Sequence, residues 1–210
     1  MSSLQNPSKL YWTLLAHSLC LTPLTKLIWD SALHRLGPHP VHTLTHQTGF
    51  WSLTFLLLSL AVSPVRSLTG FNWVFVWRRS FGLYAFLYAS LHLAVFLIFE
   101  SGPGLFQELF GRRYTLAGTA SFLLLLPLAV TSTKEWKRRL KKRWGLLHKL
   151  VFPATALAIL HFVWLVKWDI QEPLKFAVIF AALLVFRSPW GRQAIKRLRP
   201  RAAKTAKRDG

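Results

Sequence analysis

The chain has 210 residues, of which 52% are hydrophobic, and it carries a formal net charge of +20. A soluble domain of this size would spread so much charge over its whole surface. Here the basic residues lie in a few blocks between long apolar stretches. This arrangement excludes an ordinary soluble domain and predicts a membrane protein with basic loops.

Six stretches are apolar enough to be predicted as membrane spans, each of which needs about 20 residues as a helix. Lipid cannot satisfy open backbone groups, and no stretch alternates with the period of a barrel strand, so all six are predicted as helices. They cover residues 10–29, 48–64, 80–100, 114–132, 148–167 and 173–187. The predicted fold class is therefore all-α, a polytopic bundle of six transmembrane helices.

Basic residues are distributed unequally between alternate loops. Nineteen lie between spans two and three, between spans four and five, and after span six, whereas six lie in or beside the other three loops. Positive charge is retained on the cytoplasmic side of a membrane, so both termini are predicted to be cytoplasmic and the odd-numbered spans to run outward.

The chain ends in a polar, basic segment. We expect one six-span domain over residues 1–190 and a basic, disordered cytoplasmic tail over residues 191–210. Because the charge lies where the topology already requires it, and no recognition module accompanies it, we expect no nucleic-acid partner.

Four of the eight histidines, His17, His92, His148 and His161, fall in predicted spans. An ionisable side chain at membrane depth is costly and normally faces the bundle interior with a partner. At a helical rise of about 1.5 Å per residue, His92 lies about 18 Å along span three and His161 about 20 Å along span five. We therefore expect the two imidazoles at similar depth, in the outer half of the membrane.

Two neutral imidazoles that face each other across a bundle suit the two axial positions of a haem iron. The long apolar walls suit the porphyrin plane. The same pair could instead hydrogen-bond to neighbouring helices or belong to a proton pathway. The spacing of the histidines alone leaves these alternatives open.

His148 lies at the inner end of the span that carries His161, and it could ligate a second haem. In an ideal helix the intervening residues would leave the two rings about 140° apart. Pro153, which lies between them, could kink or rewind the helix and turn both toward the core. Span three offers two arginines and no histidine at that depth, and His17 is the alternative partner.

Several stretches together resemble one known family. They are "RRSFGLYAFLYASLHLAVFLIFE" (78–100), "PLAVTSTKEW" (127–136), "RWGLLHKLVFPATALAILHFVWLVK" (143–167), and "PVHTLTHQTGFWSLTFLLLSLAVSPVR" (40–66), which includes a histidine before "TG". The family is MsrQ, also called YedZ, the haem-binding membrane subunit of the bacterial periplasmic protein-methionine-sulfoxide reductase system. It belongs to the wider ferric-reductase-like transmembrane group.

The resemblance implies an electron-transfer subunit in the bacterial inner membrane, and not the catalytic reductase. Electrons would come from a cytoplasmic flavin reductase or from membrane quinol and pass through one or two haem b groups. They would leave to a periplasmic molybdopterin-containing catalytic subunit that reduces methionine sulfoxide in oxidised proteins.

The resemblance also implies site residues. The family's histidines fall on His92, His148 and His161, with His46 at the histidine before "TG". Bound FMN is implied as well, although no phosphate-binding loop is found in the sequence. The inner loop 133–147 is the candidate surface for the FMN phosphate or for an acidic electron donor.

Two alternatives from other functional classes remain at this point. The membrane histidines could form the proton relay of a transporter, or the chain could be a stand-alone protein related to ferric reductases. A visible absorption spectrum separates the transporter from a haem protein, because only a haem protein shows a Soret band with reducible α-bands. A self-contained ferric reductase is distinguished instead by a fused flavin/nicotinamide domain.

Overall fold

The computed structural model describes residues 7–71, 73–100, 105–166, 169–191 and 193, and every regular element in these ranges is helical. The helices are α1 (Pro7–Ala32), α2 (Pro40–Thr69), α3 (Val74–Val95), α4 (Leu105–Phe110), α5 (Arg113–Val130), α6 (Lys134–Leu140), α7 (Lys142–Leu147), α8 (Val151–Leu165) and α9 (Gln171–Arg187). A π-helical turn (Phe96–Glu100) continues α3, and a 3-10 turn (His148–Leu150) joins α7 to α8. Of the predicted tail, all but residues 191 and 193 lie outside the described ranges.

Four helical segments in the described part of the chain are long and apolar enough to cross a membrane. They are Pro40–Thr69, Val74–Phe99, Arg113–Val130 and Lys142–Leu165, and they correspond to predicted spans two to five. The first and sixth predicted spans are also helical, as α1 and α9, but neither belongs to this group. Helix α9 has 17 residues, one fewer than α5, which is the shortest of the four.

Helix α2 extends well beyond the apolar stretch that marked it in the sequence. It begins at Pro40, whose ring suits the first turn of a helix because the missing N–H would have had no partner there. It ends at Gly70, which adopts a left-handed φ of 77° while its N–H donates to the carbonyl of Arg66. Hydropathy marks the part of a helix that suits lipid, whereas these capping residues determine where the helix starts and stops.

Helix α2 is also the most enclosed of the four apolar segments. The most apolar 18-residue stretch of α2 is 56% buried, whereas the corresponding stretches of the other three segments are 17–28% buried. It contributes to both core clusters. One lies between α1, α2 and α3 and includes Cys20, Phe55, Phe81 and Tyr88; the other lies between α2, α8 and α9 and includes Leu57, Leu60, Ile159 and Phe176.

Two helical hairpins repeat the same interhelical hydrogen bond. In the first hairpin, α2–α3, the buried hydroxyl of Ser52 donates to the carbonyl of Ala85 over 2.9 Å. In the second hairpin, α5–α8, the buried hydroxyl of Ser121 donates to the carbonyl of Ala154 over 2.8 Å. The partners are 33 residues apart in both pairs, and the second pair follows the first by 69 residues (121 against 52). The two hairpins are therefore packed in the same register.

The 3-10 turn ahead of α8 bears on the direction in which His148 points. Pro153 lies in the first turn of α8 and has no N–H to donate to the carbonyl four residues earlier, which favours a tightened turn at His148–Leu150. A 3-10 turn advances about 120° per residue instead of about 100°. The angle between His148 and His161 around the helix axis therefore falls from about 140° to about 80°. The rewinding expected near Pro153 is present.

Candidate metal centre

The structure brings His92 of α3 and His161 of α8 together. Their ring centroids are 6.0 Å apart and their planes are nearly perpendicular, at 83°. The sequence prediction that the two imidazoles reach the same depth is thus confirmed. We call this end of the bundle the paired-histidine end.

Both rings are held through the same nitrogen. His92 Nδ1 donates to the carbonyl of Thr45 over 2.8 Å, and His161 Nδ1 donates to the carbonyl of Tyr114 over 2.7 Å. A carbonyl can only accept, so in each neutral ring Nδ1 carries the hydrogen and Nε2 carries the lone pair. This is the tautomer that metal-binding histidines adopt when a backbone carbonyl orients them.

A glycine lies against each of the two rings. A Cβ added to Gly49 would lie 3.0 Å from His92 Nδ1, and one added to Gly118 would lie 2.8 Å from His161 Nδ1. Each glycine follows the carbonyl partner of its histidine by one helical turn. The rings can therefore seat closely against α2 and α5 because neither position has a side chain.

The two halves of the site repeat along the chain. Each histidine lies 47 residues after its carbonyl partner, and the second set follows the first by 69 residues (161 against 92, 114 against 45). This is the same offset as that between the serine–carbonyl bonds of the two hairpins. Each hairpin thus supplies one histidine, one carbonyl acceptor and one glycine to the site.

The arrangement fits a haem iron better than a bare metal ion. A metal–imidazole bond is about 2 Å long and a ring centroid lies about 1 Å behind its ligating nitrogen, so two axial imidazoles place their centroids about 6 Å apart. Among the described residues no group of three or more His, Cys, Asp or Glu side chains could hold a metal ion. A porphyrin supplies four ligands itself, so two protein ligands are enough.

His148 lies at the opposite end of the bundle, which we call the basic end. Its ring packs on Trp144 with centroids 4.0 Å apart, and its Nδ1 is buried with no hydrogen-bond partner within the described part of the chain. Arg78 of α3 is close enough to act electrostatically on the ring. A buried polar atom without a partner marks a place where a further group could bind.

The hairpin repeat shows how the basic end differs from the paired-histidine end. The residue 69 positions before His148 is Arg79, which is exposed, while its half-buried neighbour Arg78 is the one that acts on the ring. The first hairpin thus presents arginine where the second hairpin presents histidine. No second imidazole is paired with His148 among the described residues.

The other two predicted site histidines have different partners. His17 Nδ1 lies 3.0 Å from the hydroxyl of Tyr84, so the ring suggested as a partner for His148 is bonded to α3 instead. His46 Nε2 lies 3.7 Å from Glu172, and its ring packs against Phe162. In the "HQTG" stretch it is the glycine, not the histidine, that contacts the His92 ring.

Sequence reasoning missed the parts of the site that have no ionisable side chain. These are Gly49, Gly118 and the carbonyls of Thr45 and Tyr114. A signal was present in the sequence, because a glycine precedes each of His92 and His161 by the same number of residues. That spacing acquires meaning only once the hairpins are known to pack in register.

The chain is similar to known proteins. The chain matches the family described as "Ferric reductase like transmembrane component" over residues 48–159, which include His92 and His148 and end just before His161.

Relatives from several bacteria carry the name "Protein-methionine-sulfoxide reductase heme-binding subunit MsrQ". The relative from Xanthomonas oryzae pv. oryzae is 44% identical over 196 residues, covering 89% of each chain. That from Xanthomonas euvesicatoria pv. vesicatoria is 47% identical over 182 residues, covering 82% of this chain and 84% of its own. That from Herminiimonas arsenicoxydans is 39% identical over 179 residues, covering 82% of each chain. The chain belongs to the MsrQ family of ferric-reductase-like transmembrane proteins.

Proposed function

We propose that this chain is the haem b-containing electron-transfer subunit of a protein-methionine-sulfoxide reductase system, and not the catalytic reductase. One observation carries the proposal: two imidazoles whose centroids are 6.0 Å apart, each oriented by a carbonyl that accepts from Nδ1. The names of the relatives, which describe heme-binding subunits of such a system, support the same function.

In this proposal His92 and His161 would hold one haem b. When bound, the haem supplies a one-electron ferric/ferrous couple. The carbonyls of Thr45 and Tyr114 hold the rings in place and make Nε2 more electron-donating. The apolar walls of the bundle exclude water, which together with the ligands tunes the reduction potential.

His148 is proposed as a ligand of a second haem at the basic end. Its buried, unpartnered Nδ1 and the 3-10 turn that brings it closer to His161 around the helix axis support this role. His17 and His46 already have side-chain partners in Tyr84 and Glu172, so as haem ligands they stay sequence predictions.

The proposed direction of electron flow is from the basic end to the paired-histidine end. The charge asymmetry between alternate loops favours a cytoplasmic basic end, where a flavin reductase or membrane quinol would deliver electrons. The acceptor at the other end would be a periplasmic molybdopterin-containing catalytic subunit. The haem would supply one-electron chemistry, so each two-electron reduction of a sulfoxide would need two deliveries.

An FMN site is proposed on the basic helices α6 and α7. Lys137, Arg138 and Arg139 lie in the last turn of α6 and could hold a phosphate by charge-assisted hydrogen bonds. The same surface could dock an acidic electron donor.

We further propose that α1 and α9 also cross the bacterial inner membrane, so that six spans form one domain with both termini in the cytoplasm. Both helices carry exposed large apolar side chains that suit lipid. They include Leu14, Leu19 and Ile28 on α1 and Val178, Ile179 and Val185 on α9. An even number of spans is required if both termini lie on one side.

The function is tested by the absorption spectrum and haem content of the purified protein. We expect a Soret band with reducible α-bands, loss of the paired-histidine haem in His92→Ala and in His161→Ala, and normal content in the control His34→Ala. Normal haem content in either of the first two variants would refute the ligand pair. Protein that stays colourless after haem supplementation would favour the proton-coupled transporter instead.

A further inference from the structure

Two tyrosines one turn apart on α3 are both hydrogen-bonded to α1, but to different kinds of group. The hydroxyl of Tyr84 lies 3.0 Å from His17 Nδ1. The hydroxyl of Tyr88 donates to the backbone carbonyl of Cys20, also over 3.0 Å. The first partner is a base and the second is not. This pair of contacts therefore separates a phenol that can lose its proton from one that cannot.

The difference matters for one-electron chemistry. A phenol that loses an electron becomes strongly acidic, so oxidation is accessible only where a nearby base takes the proton. Imidazole, with an ordinary pKa of about 6.5, can accept it. An amide carbonyl accepts hydrogen bonds but is not a base under these conditions.

We propose that Tyr84 and His17 form a proton-coupled redox site within the bundle. A one-electron oxidant, in the cell a peroxide-derived radical, removes one electron from Tyr84 and is itself reduced. The phenolic O–H bond breaks and an N–H bond forms at His17 Nδ1, which leaves a neutral tyrosyl radical beside an imidazolium. A returning electron reverses both changes. His17 enters the cycle as the tautomer with its hydrogen on Nε2.

A continuous series of aromatic rings leads from this pair to the start of α3. Successive ring centroids are 6.3 Å apart for Tyr84 and Phe55, 6.1 Å for Phe55 and Phe81, 5.8 Å for Phe81 and Trp77, 5.2 Å for Trp77 and Trp73, and 4.1 Å for Trp73 and Trp12. The indole N–H of Trp77 donates to the carbonyl of Trp12, and this bond holds α1 against α3 at the end of the series. Tryptophan can itself carry an oxidising equivalent. The series therefore connects the pair with the basic end of the bundle.

The surroundings keep the reduction potential of this site high. Loss of an electron leaves one additional positive charge on the pair, and such a charge is costly within an apolar bundle. Ordinary low-potential electron transfer therefore leaves Tyr84 reduced, and only strong oxidants react with it. The role that follows is protective: the pair intercepts oxidising equivalents before they modify the bundle. It needs no haem, so it does not rest on the function proposed above.

The test uses the full-length protein in lipid nanodiscs and a photogenerated ruthenium(III) polypyridyl complex as the one-electron oxidant. Electron paramagnetic resonance measures the yield of tyrosyl radical, and transient absorption measures its rate of formation. We expect the yield to fall about tenfold in Tyr84→Phe. We expect formation to slow about tenfold in His17→Gln, whose side chain accepts a hydrogen bond but takes no proton. The matched control Tyr88→Phe should leave both quantities unchanged.

Two results would overturn the proposal. One is an unchanged radical yield in Tyr84→Phe; the other is a rate that does not respond to His17→Gln. Should Tyr84→Phe fail to fold, a fluorinated tyrosine at position 84 replaces it, and a radical spectrum without fluorine coupling would then count against Tyr84. Haem content is recorded separately, so a failure of the haem proposal is distinguishable from a failure of this one.

Discussion

The two hairpins are alike at one end of the bundle and different at the other. At the paired-histidine end, α2–α3 and α5–α8 each contribute a histidine, a carbonyl that accepts from Nδ1, and a glycine under the ring. At the basic end the second hairpin has His148 where the first has Arg79. The repeated backbone geometry thus supports a symmetrical site at one end and an asymmetrical site at the other.

This contrast separates what a hairpin needs in order to pack from what it needs in order to bind. The serine–carbonyl bonds are present in both hairpins and lie between the two ends, so they belong to packing. The difference between His148 and Arg79 changes the chemistry available at the basic end. Two opposed imidazoles can saturate an iron, whereas a single imidazole leaves one axial position to another ligand.

The largest expected effect comes from removing the residue that distinguishes the hairpins. In His148→Ala we expect total haem content to fall to about half while the spectrum of the paired-histidine haem is retained, because that haem has its own two ligands. Haem extraction and low-temperature spectra measure both quantities. The control Arg79→Ala, at the exposed counterpart position, should keep full content. Unchanged haem in His148→Ala would mean that the basic end holds no haem.

The next effect concerns the glycines that the hairpins share. Gly118→Ala should destabilise the protein by about 1–3 kcal/mol, and Gly49→Ala by less, because the added Cβ meets its histidine ring more closely at Gly118. Gly82→Ala is the matched control, since a Cβ there meets nothing within 4 Å. All three substitutions raise helix propensity by the same amount, so differences in stability between the variants report the contact of the added Cβ with the histidine ring. Equal stability of the three variants, measured by thermal unfolding with the haem spectrum as the signal, would contradict this account.

A smaller effect tests whether the hairpins are energetically equivalent. Ser52→Ala and Ser121→Ala should each lower the free energy of unfolding by about 0.6 kcal/mol, the typical contribution of an interhelical hydrogen bond in a membrane. Ser90→Ala is the control, because that hydroxyl donates to a carbonyl of its own helix. Unfolding in mixed detergent micelles measures the change. A clear difference between the two serine variants would show that the two hydrogen bonds share a geometry but contribute differently to stability.

The smallest effect concerns α6, which lies in the connection between α5 and α8 of the second hairpin. The pKa of Glu135, in the first turn of α6, is lowered mainly by a backbone hydrogen bond and also by the side chain of Thr133. A pKa lower in the folded than in the unfolded state stabilises α6 above the unfolded pKa, and the gain is lost as the pH falls through the folded pKa. Amide exchange of α6 should therefore quicken relative to that of α8 in acid. In Glu135→Gln this pH dependence should disappear, and its persistence would point to another group.

Part of the candidate site was predictable because it depends on local properties. Helical rise alone placed His92 and His161 at one depth, and the structure brings their rings together. Pro153 correctly indicated a rewound segment beside His148. The direction in which a side chain points around its helix was harder to predict, because it depends on how two helices pack against each other.

The partners of the histidines could not have been found in this way. His17 was a candidate for His148 on grounds of depth, yet it bonds Tyr84, 67 residues away. His46 was a candidate because of its position before "TG", yet Gly49 makes the ring contact. Contacts between residues this far apart depend on interhelical rotation, which hydropathy does not encode.

The sequence by itself determined that the chain is helical and suited to a membrane, and that His92 and His161 lie at a similar level along their helices, because hydropathy and helical rise are properties of a single segment. Only the tertiary structure decided which imidazoles face each other, which carbonyls orient them and which glycines make room for them. Those choices depend on two hairpins packing in one register, and that register is a property of helix pairs and not of any one helix.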